Sequence, residues 1–253
     1  MTVNSQVEIQ QRVAAGKITW AGPLIMLAAR SILAVICQAL VASIFYSGSV
    51  DAWDEAGRWW TVYGTVIDVG TLVLLVWLTR REGIRLFDLG NYSRKRWLRD
   101  VLIGLGLFIV IFPTLLFAPL TFLMTVFDVS PPMGVLPLAG SLYSIIIWPV
   151  IWAFTEDNTY LGYSLPRLAA LTGRTWIAVV VVVFFATLQH IFLPFRLEWR
   201  YLLTRFLSFV PFVIVYCLLY LRQRRLLPIH ILHWASNIIS PLLALLMAAG
   251  GGG

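Results

Sequence analysis

Charged side chains are scarce in this chain: Asp, Glu, Lys and Arg make up 12% of 253 residues, and only twelve residues are acidic. Set against 60% hydrophobic residues, eleven Trp and a mean hydropathy of +0.85, that scarcity excludes an ordinary soluble domain of this length. Cysteine is nearly absent. Cys37 and Cys217 each lie inside an apolar run, which argues against a disulfide framework or a cysteine-based metal site. Histidine occurs at only three positions. No internal repeat is evident, which counts against a transporter assembled from repeated halves. No cleaved secretory peptide is expected, because Met1 to Gly16 is polar and the first apolar run is too long for a signal core.

What the chain does have is apolar runs of membrane-crossing length, about 20 residues each. The expected fold class is therefore all-α, a polytopic transmembrane helical bundle. Seven spans are expected: Trp20 to Tyr46, Trp59 to Leu78, Leu98 to Val126, Ser141 to Leu168, Trp176 to Leu193, Tyr201 to Leu221 and Pro228 to Met247. An eighth, re-entrant or interfacial segment is allowed around Pro131 to Ala139. Pro113 and Pro119 in the third run, and Pro149 in the fourth, are expected to kink or tilt them. The simplest organisation is a single integral membrane domain over 1–253. It has an N-terminal cytoplasmic segment at 1–18, a core carrying the polar motifs at 141–246 and a flexible tail at 249–253.

Loop charge gives an orientation. Fourteen of the nineteen Lys and Arg fall on one side of these spans: Arg12 and Lys17, the cluster from Arg80 to Arg99, Arg167 and Arg174, and Arg222 to Arg225. The opposite side holds Arg58, Arg196, Arg200 and Arg205, and Arg30 lies within the first span. Positive loops stay in the cytoplasm, so the N-terminus is placed there and the C-terminus outside. The net charge of +7 comes from residues between spans and fits an anionic membrane surface rather than nucleic acid.

Polar residues inside the spans are costly and need partners or a function. Arg30 and Asp68 are expected at similar depth, about 15 Å in at about 1.5 Å per residue, and to form an ion pair that staples two helices. Glu156 lies seventeen residues before Gly173 and His190 seventeen after it, so antiparallel helices joined there bring the two to one level. His230, His233 and Asn237 fall in one narrow stripe at about 100° per residue. Glu156, Thr159, Tyr160 and Tyr163 form another, at spacings of three, four and seven. Taken singly, each buried His or Asn reads as a hydrogen-bonded tie between helices. Their convergence with Glu156 and Asp157 reads instead as a site in which Glu156 activates a water. The imidazoles and the Asn237 amide then orient that water or stabilise the oxyanion.

The order of these residues resembles the CPBP family, which includes type II CAAX prenyl endopeptidases and bacteriocin-processing or self-immunity proteins. Its Glu-Glu-x-x-x-Arg motif corresponds to the segment starting Glu156-Asp157, its Phe-x-x-x-His motif ends on His190, and its His-x-x-x-Asn motif is His233 with Asn237. The resemblance covers about Ser141 to Leu246. It implies a helical bundle around a cavity open to the cytoplasm, with Glu156 as general base and His190, His233 and Asn237 around the scissile bond. It also implies metal-independent hydrolysis. Three departures stand out: Asp157 replaces the second Glu, Ala186 takes the position of the motif Phe, and Leu161 that of the motif Arg. The last removes a charge partner for the carboxylates.

No cofactor is expected. A zinc alternative would draw on Glu156, His190 and His233 with water in the fourth position, but no short-range ligand pair supports it. The expected catalytic set is Glu156, Asp157, His190, His233 and Asn237. The expected partners are the lipid bilayer and a membrane-associated peptide or protein substrate, with no nucleic acid. The expected location is a bacterial or archaeal plasma membrane. Beside an intramembrane endopeptidase acting near the cytoplasmic face stand two other readings: a non-catalytic scaffold or immunity protein, and a proton-coupled transporter.

Overall fold

The computed structural model describes residues 3–130 and 136–250. Among these there is no strand, only an isolated bridge between Phe192 and Phe195. Besides a 3₁₀ helix at Leu86–Gly90, ten helices follow one another among the described residues: α1 (Gln6–Ala14), α2 (Ala21–Phe45), α3 (Ala52–Arg58), α4 (Trp60–Arg81), α5 (Trp97–Phe127), α6 (Leu138–Ile146), α7 (Trp148–Thr172), α8 (Thr175–Ile191), α9 (Trp199–Gln223) and α10 (Leu227–Gly250).

Five of these, α2, α4, α5, α9 and α10, are long and apolar enough to cross a membrane. Their outward side chains, among them Ile44, Val66, Val73, Ile109 and Val110, are exposed aliphatics that water would not tolerate as a continuous belt. The chain is an integral multi-pass membrane protein. α6 and α7 together pass the same test but bend by 40° at Ile147, one residue before the Trp148-Pro149 start of α7, so they make either a sixth, broken span or a re-entrant loop. α8 falls short of the length for a span of its own. Each expected apolar run is a helix or a helix pair, yet length and composition support five or six crossings rather than seven.

Other expectations are adjusted by the helices themselves. The third run is one continuous helix in which Pro113 lies in a π-helical turn, Phe112–Phe117. The tail expected from Ala249 is still helical to Gly250, and 251–253 lie outside the described residues. Of the segment Pro131 to Ala139, positions 131–135 also lie outside them, and the remainder leads into α6.

Side-chain ties fix two faces of the bundle. On the N-terminal face, where α4, α7 and α9 end and α5, α8 and α10 begin, the buried Arg167 guanidinium donates to both carboxylate oxygens of Glu82 and to Asn4. Arg225 pairs with Asp100, and Asn91 donates to the Arg224 carbonyl. On the opposite face, Gln38 and Trp53 both donate to the Phe195 carbonyl, and Thr61 bonds Ser144 at 2.7 Å. α5 and α10 come close together at Gly104, where a Cβ would lie 2.5 Å from the Pro228 carbonyl oxygen.

Candidate active site

The expected pairing of Arg30 with Asp68 is present, at 2.5 Å with both side chains fully buried, but it is more than a staple. Arg30 also donates through Nε to Gln189 Oε1 at 2.7 Å, and the Tyr160 hydroxyl donates to the same oxygen at 3.3 Å. The guanidinium lies over the Trp152 ring, 4.2 Å from its centroid. Its Nη2 approaches Glu156 Oε2 at 3.7 Å, and neither atom has a hydrogen-bond partner among the described residues. One cation therefore serves two carboxylates, from Asp68 on α4 and Glu156 on α7.

The equal spacing of Glu156 and His190 about Gly173 is realised. His190 Nε2 lies 3.7 Å from Glu156 Oε1. His190 sits in a 3₁₀ turn at the end of α8, and α9 holds it there from two directions. The Phe209 ring stacks on the imidazole at 3.6 Å between centroids and 11° between planes. Arg205 donates to the His190 carbonyl at 3.1 Å and to the Leu193 carbonyl at 3.0 Å. Sequence reasoning counted Arg205 only among the charges of the face opposite the N-terminus and overlooked Phe209; the signal available was their i, i+4 spacing, which puts both on one face of a helix.

Asp157, the residue after Glu156, faces a different pair. Its two carboxylate oxygens accept from His230 Nδ1 at 2.8 Å and from His233 Nδ1 at 2.9 Å. The Tyr92 hydroxyl lies 2.8 Å from His230 Nε2, which extends the chain of bonds toward the N-terminal face. Both imidazoles thus point Nδ1 at an anion, which favours the tautomer with its proton there and leaves Nε2 as the acceptor. His233 is held by Asp157, with the edge of the Tyr216 ring across it.

The stripe expected from Glu156 to Tyr163 does not survive as one surface. A π-helix, Asn158–Ser164, follows the two acids, and its wider turn rotates what lies beyond. Tyr160 stays with Arg30 and Gln189. Tyr163 turns instead into a separate cluster with Met26, Leu75 and Leu78, beneath the Arg167 guanidinium. Leu161, at the motif Arg position, is buried in the main core cluster. The charge missing there is supplied to Glu156 from α2 by Arg30.

A cavity of about 380 Å³ adjoins these residues, lined at its inner end by His190, Asn237, Arg205, Trp148 and Trp152. The Asn237 Nδ2 amide has no hydrogen-bond partner among the described residues. Beyond Asn237 the walls are α10 as far as Met247 and α5 from Phe112 to Met124. The cavity therefore occupies the half of the bundle away from the N-terminal face. As for a metal, no three His, Cys, Asp or Glu side chains among the described residues are gathered to hold one. Glu156, His190 and His233 are not gathered as a ligand set among the described residues.

Residues 138–239 match the family model described as type II CAAX prenyl endopeptidase Rce1-like, which bears out the resemblance carried by the motifs. The match takes in α6 to α9 and α10 as far as Ile239, and leaves α1 to α5 outside it. No curated protein and no solved structure matches the chain.

Proposed function

We propose that the chain is an intramembrane endopeptidase of the CAAX-protease type, in which Glu156 deprotonates a water that attacks a peptide carbonyl. The observation that carries this reading is the meeting of Glu156 Oε1 and His190 Nε2 at 3.7 Å beside a cavity that also presents the Asn237 amide. At that separation the two groups do not bond directly, and a single water admitted beside them can bond to both. Glu156 takes the proton as the oxygen attacks, and the Asn237 Nδ2–H, with His190, stabilises the oxyanion that forms. The proton held on Glu156 then passes to the leaving amine. Arg30 keeps Glu156 in place and prevents its buried charge from standing alone, and Asp157 orients His230 and His233 against the α7 backbone.

The proposed setting is a plasma membrane, with α6–α7 and α8 both crossing it for seven spans in all and the N-terminus in the cytoplasm. The alternation of arginine-rich and arginine-poor loops supports that arrangement. One observation favours a non-catalytic relative: Glu156 is only 6% exposed and is not part of the cavity wall. The deciding experiment compares membranes carrying wild type, Glu156→Gln and His190→Ala, with cleavage products read by mass spectrometry. Product peptides present in wild type and lost in both variants support hydrolysis. Identical peptide profiles, with a partner still retained by all three, support the scaffold.

A further inference from the structure

Where α9 ends and α5 and α10 begin, the bundle encloses a second hollow of about 680 Å³, whose walls include Asp88, Asn91, Tyr92, Arg96, Arg224 and Arg225. None of Glu156, His190 and Asn237 lines it, although the Tyr92 hydroxyl on its wall bonds His230. α5, α9 and α10 are all of membrane-crossing length, so their ends lie at the membrane surface. The hollow therefore sits at the level of lipid headgroups, whichever way the chain is inserted.

Its three arginines are not equivalent. Arg225 is paired with the buried Asp100, whereas Arg96 is exposed. Arg224 closes α9 in a left-handed conformation, φ 53°, and Asn91 fixes it there by donating to its carbonyl. Its Nη2 reaches Gln6 Oε1 over a long 3.4 Å, and its buried Nη1 has no partner among the described residues. Gln223 Oε1, from the neighbouring wall residue, is buried and unpartnered as well. A cationic donor and a neutral acceptor left unpaired carry a desolvation cost that a suitable ligand removes. α5 starts one residue after Arg96 and α10 two after Arg225, so the N–H ends of both helices add to the positive field. Asp88 is the acid of the wall, with one oxygen accepting from the Arg85 N–H.

This set of groups asks for an anion that also carries hydroxyls: phosphodiester oxygens for Arg96 and Arg224, and O–H donors for Gln223 Oε1 and Asp88. The surroundings add an apolar tail. Leu98, Leu102, Leu105 and Ile109 are exposed and fall within about 60° of one another around α5. Their stripe starts two residues after Arg96 and runs on into the membrane, with exposed Phe87 and Trp97 at the interface beside it. We propose that the hollow is a binding site for an anionic phospholipid with a hydroxyl-bearing headgroup. The phosphodiester lies on Arg96 and Arg224, and one acyl chain lies along the α5 stripe. This site is independent of the hydrolytic reading and stands whether or not Glu156 activates water.

Native mass spectrometry of the full chain released from detergent micelles reads the site, with dioleoylphosphatidylglycerol as the probe. Dioleoylphosphatidylcholine, which is zwitterionic, and dioleoylphosphatidylmethanol, which is anionic but has no headgroup hydroxyl, separate recognition of charge from recognition of hydroxyls. Glycerol phosphate and inorganic phosphate report on a free phosphate as the source. One phosphatidylglycerol is expected to be retained more strongly than either other lipid and not to be displaced by an excess of the free phosphates. The pair Arg96→Gln with Arg224→Gln is expected to weaken its binding about tenfold or more. The pair Arg80→Gln with Arg81→Gln, at the arginine-bearing end of α4, should leave it unchanged. Arg96→Gln alone, at an exposed position, should give a smaller loss, and it keeps the comparison usable if the double variant unfolds. Equal retention of phosphatidylglycerol and phosphatidylmethanol, displacement by either free phosphate, equal weakening by the α4 pair, or full retention in Arg96→Gln overturns the proposal.

Discussion

Arg30 on α2 and Glu156 on α7 stand 126 positions apart in the chain and 3.7 Å apart in space, with Asp68 on the other side of the same guanidinium. A buried cation shared by two acids keeps both ionisable without leaving either one alone. Removing it leaves uncompensated charge in an apolar interior, a loss of about 3–5 kcal/mol for a broken buried pair. Arg30→Gln is therefore expected to lower the thermal midpoint in detergent, followed by tryptophan fluorescence, and to abolish product peptides. Leu161→Arg, which restores the motif residue, is expected not to rescue it, because position 161 faces the core cluster with Leu165 and Leu226 rather than Glu156.

Asp157 has a separate task. With both oxygens accepting from imidazole Nδ1 atoms, it holds two α10 side chains against α7. Asp157→Asn keeps one acceptor and sets an amide N–H against the other ring. Nitrogen-15 NMR of histidine-labelled protein is expected to show two Nδ1–H histidines in wild type and a changed tautomer at one of them in the variant. Stability falls by about 1.5–3 kcal/mol for the charged hydrogen bond lost.

His190 depends on α9. Arg205 holds its carbonyl and Phe209 its ring face, so loss of either lets the imidazole drift from Glu156. A misplacement of about 1 Å at a reacting group costs about 10²-fold in rate. Arg205→Lys, which cannot span the His190 and Leu193 carbonyls with a planar fork, is expected to slow product formation by about that factor. The thermal midpoint should move far less than in Arg30→Gln, and that difference separates a positioning role from a folding one.

Gly104 is where α5 admits α10. A Cβ there would lie 2.5 Å from the Pro228 carbonyl oxygen and 2.6 Å from Ile231 Cβ. Gly104→Ala must push away the first turns of the helix that carries His230 and His233, at about 1–3 kcal/mol for overpacking. Gly106→Ala, with open space around the added methyl group, is the control and is expected to leave stability unchanged or raise it.

Length and hydropathy by themselves determined that the chain is a helical membrane bundle, because a lipid environment leaves backbone polar groups few other ways to be satisfied. The spacing of Glu156 and His190 about Gly173 was enough to bring those two side chains to one level, since helical rise converts sequence offset into depth. Only the tertiary structure decided what each acid faces. A π-turn after Asp157 breaks the 3.6-residue period on which Tyr163 was placed, and no local composition announces it. Arg30 replaces the missing motif charge across a gap of 126 residues, and the cavity lies away from the N-terminal face because the outer halves of α5 and α10 leave room between them. Such features arise from helices packed side by side, and pattern along a single helix carries no record of its neighbour.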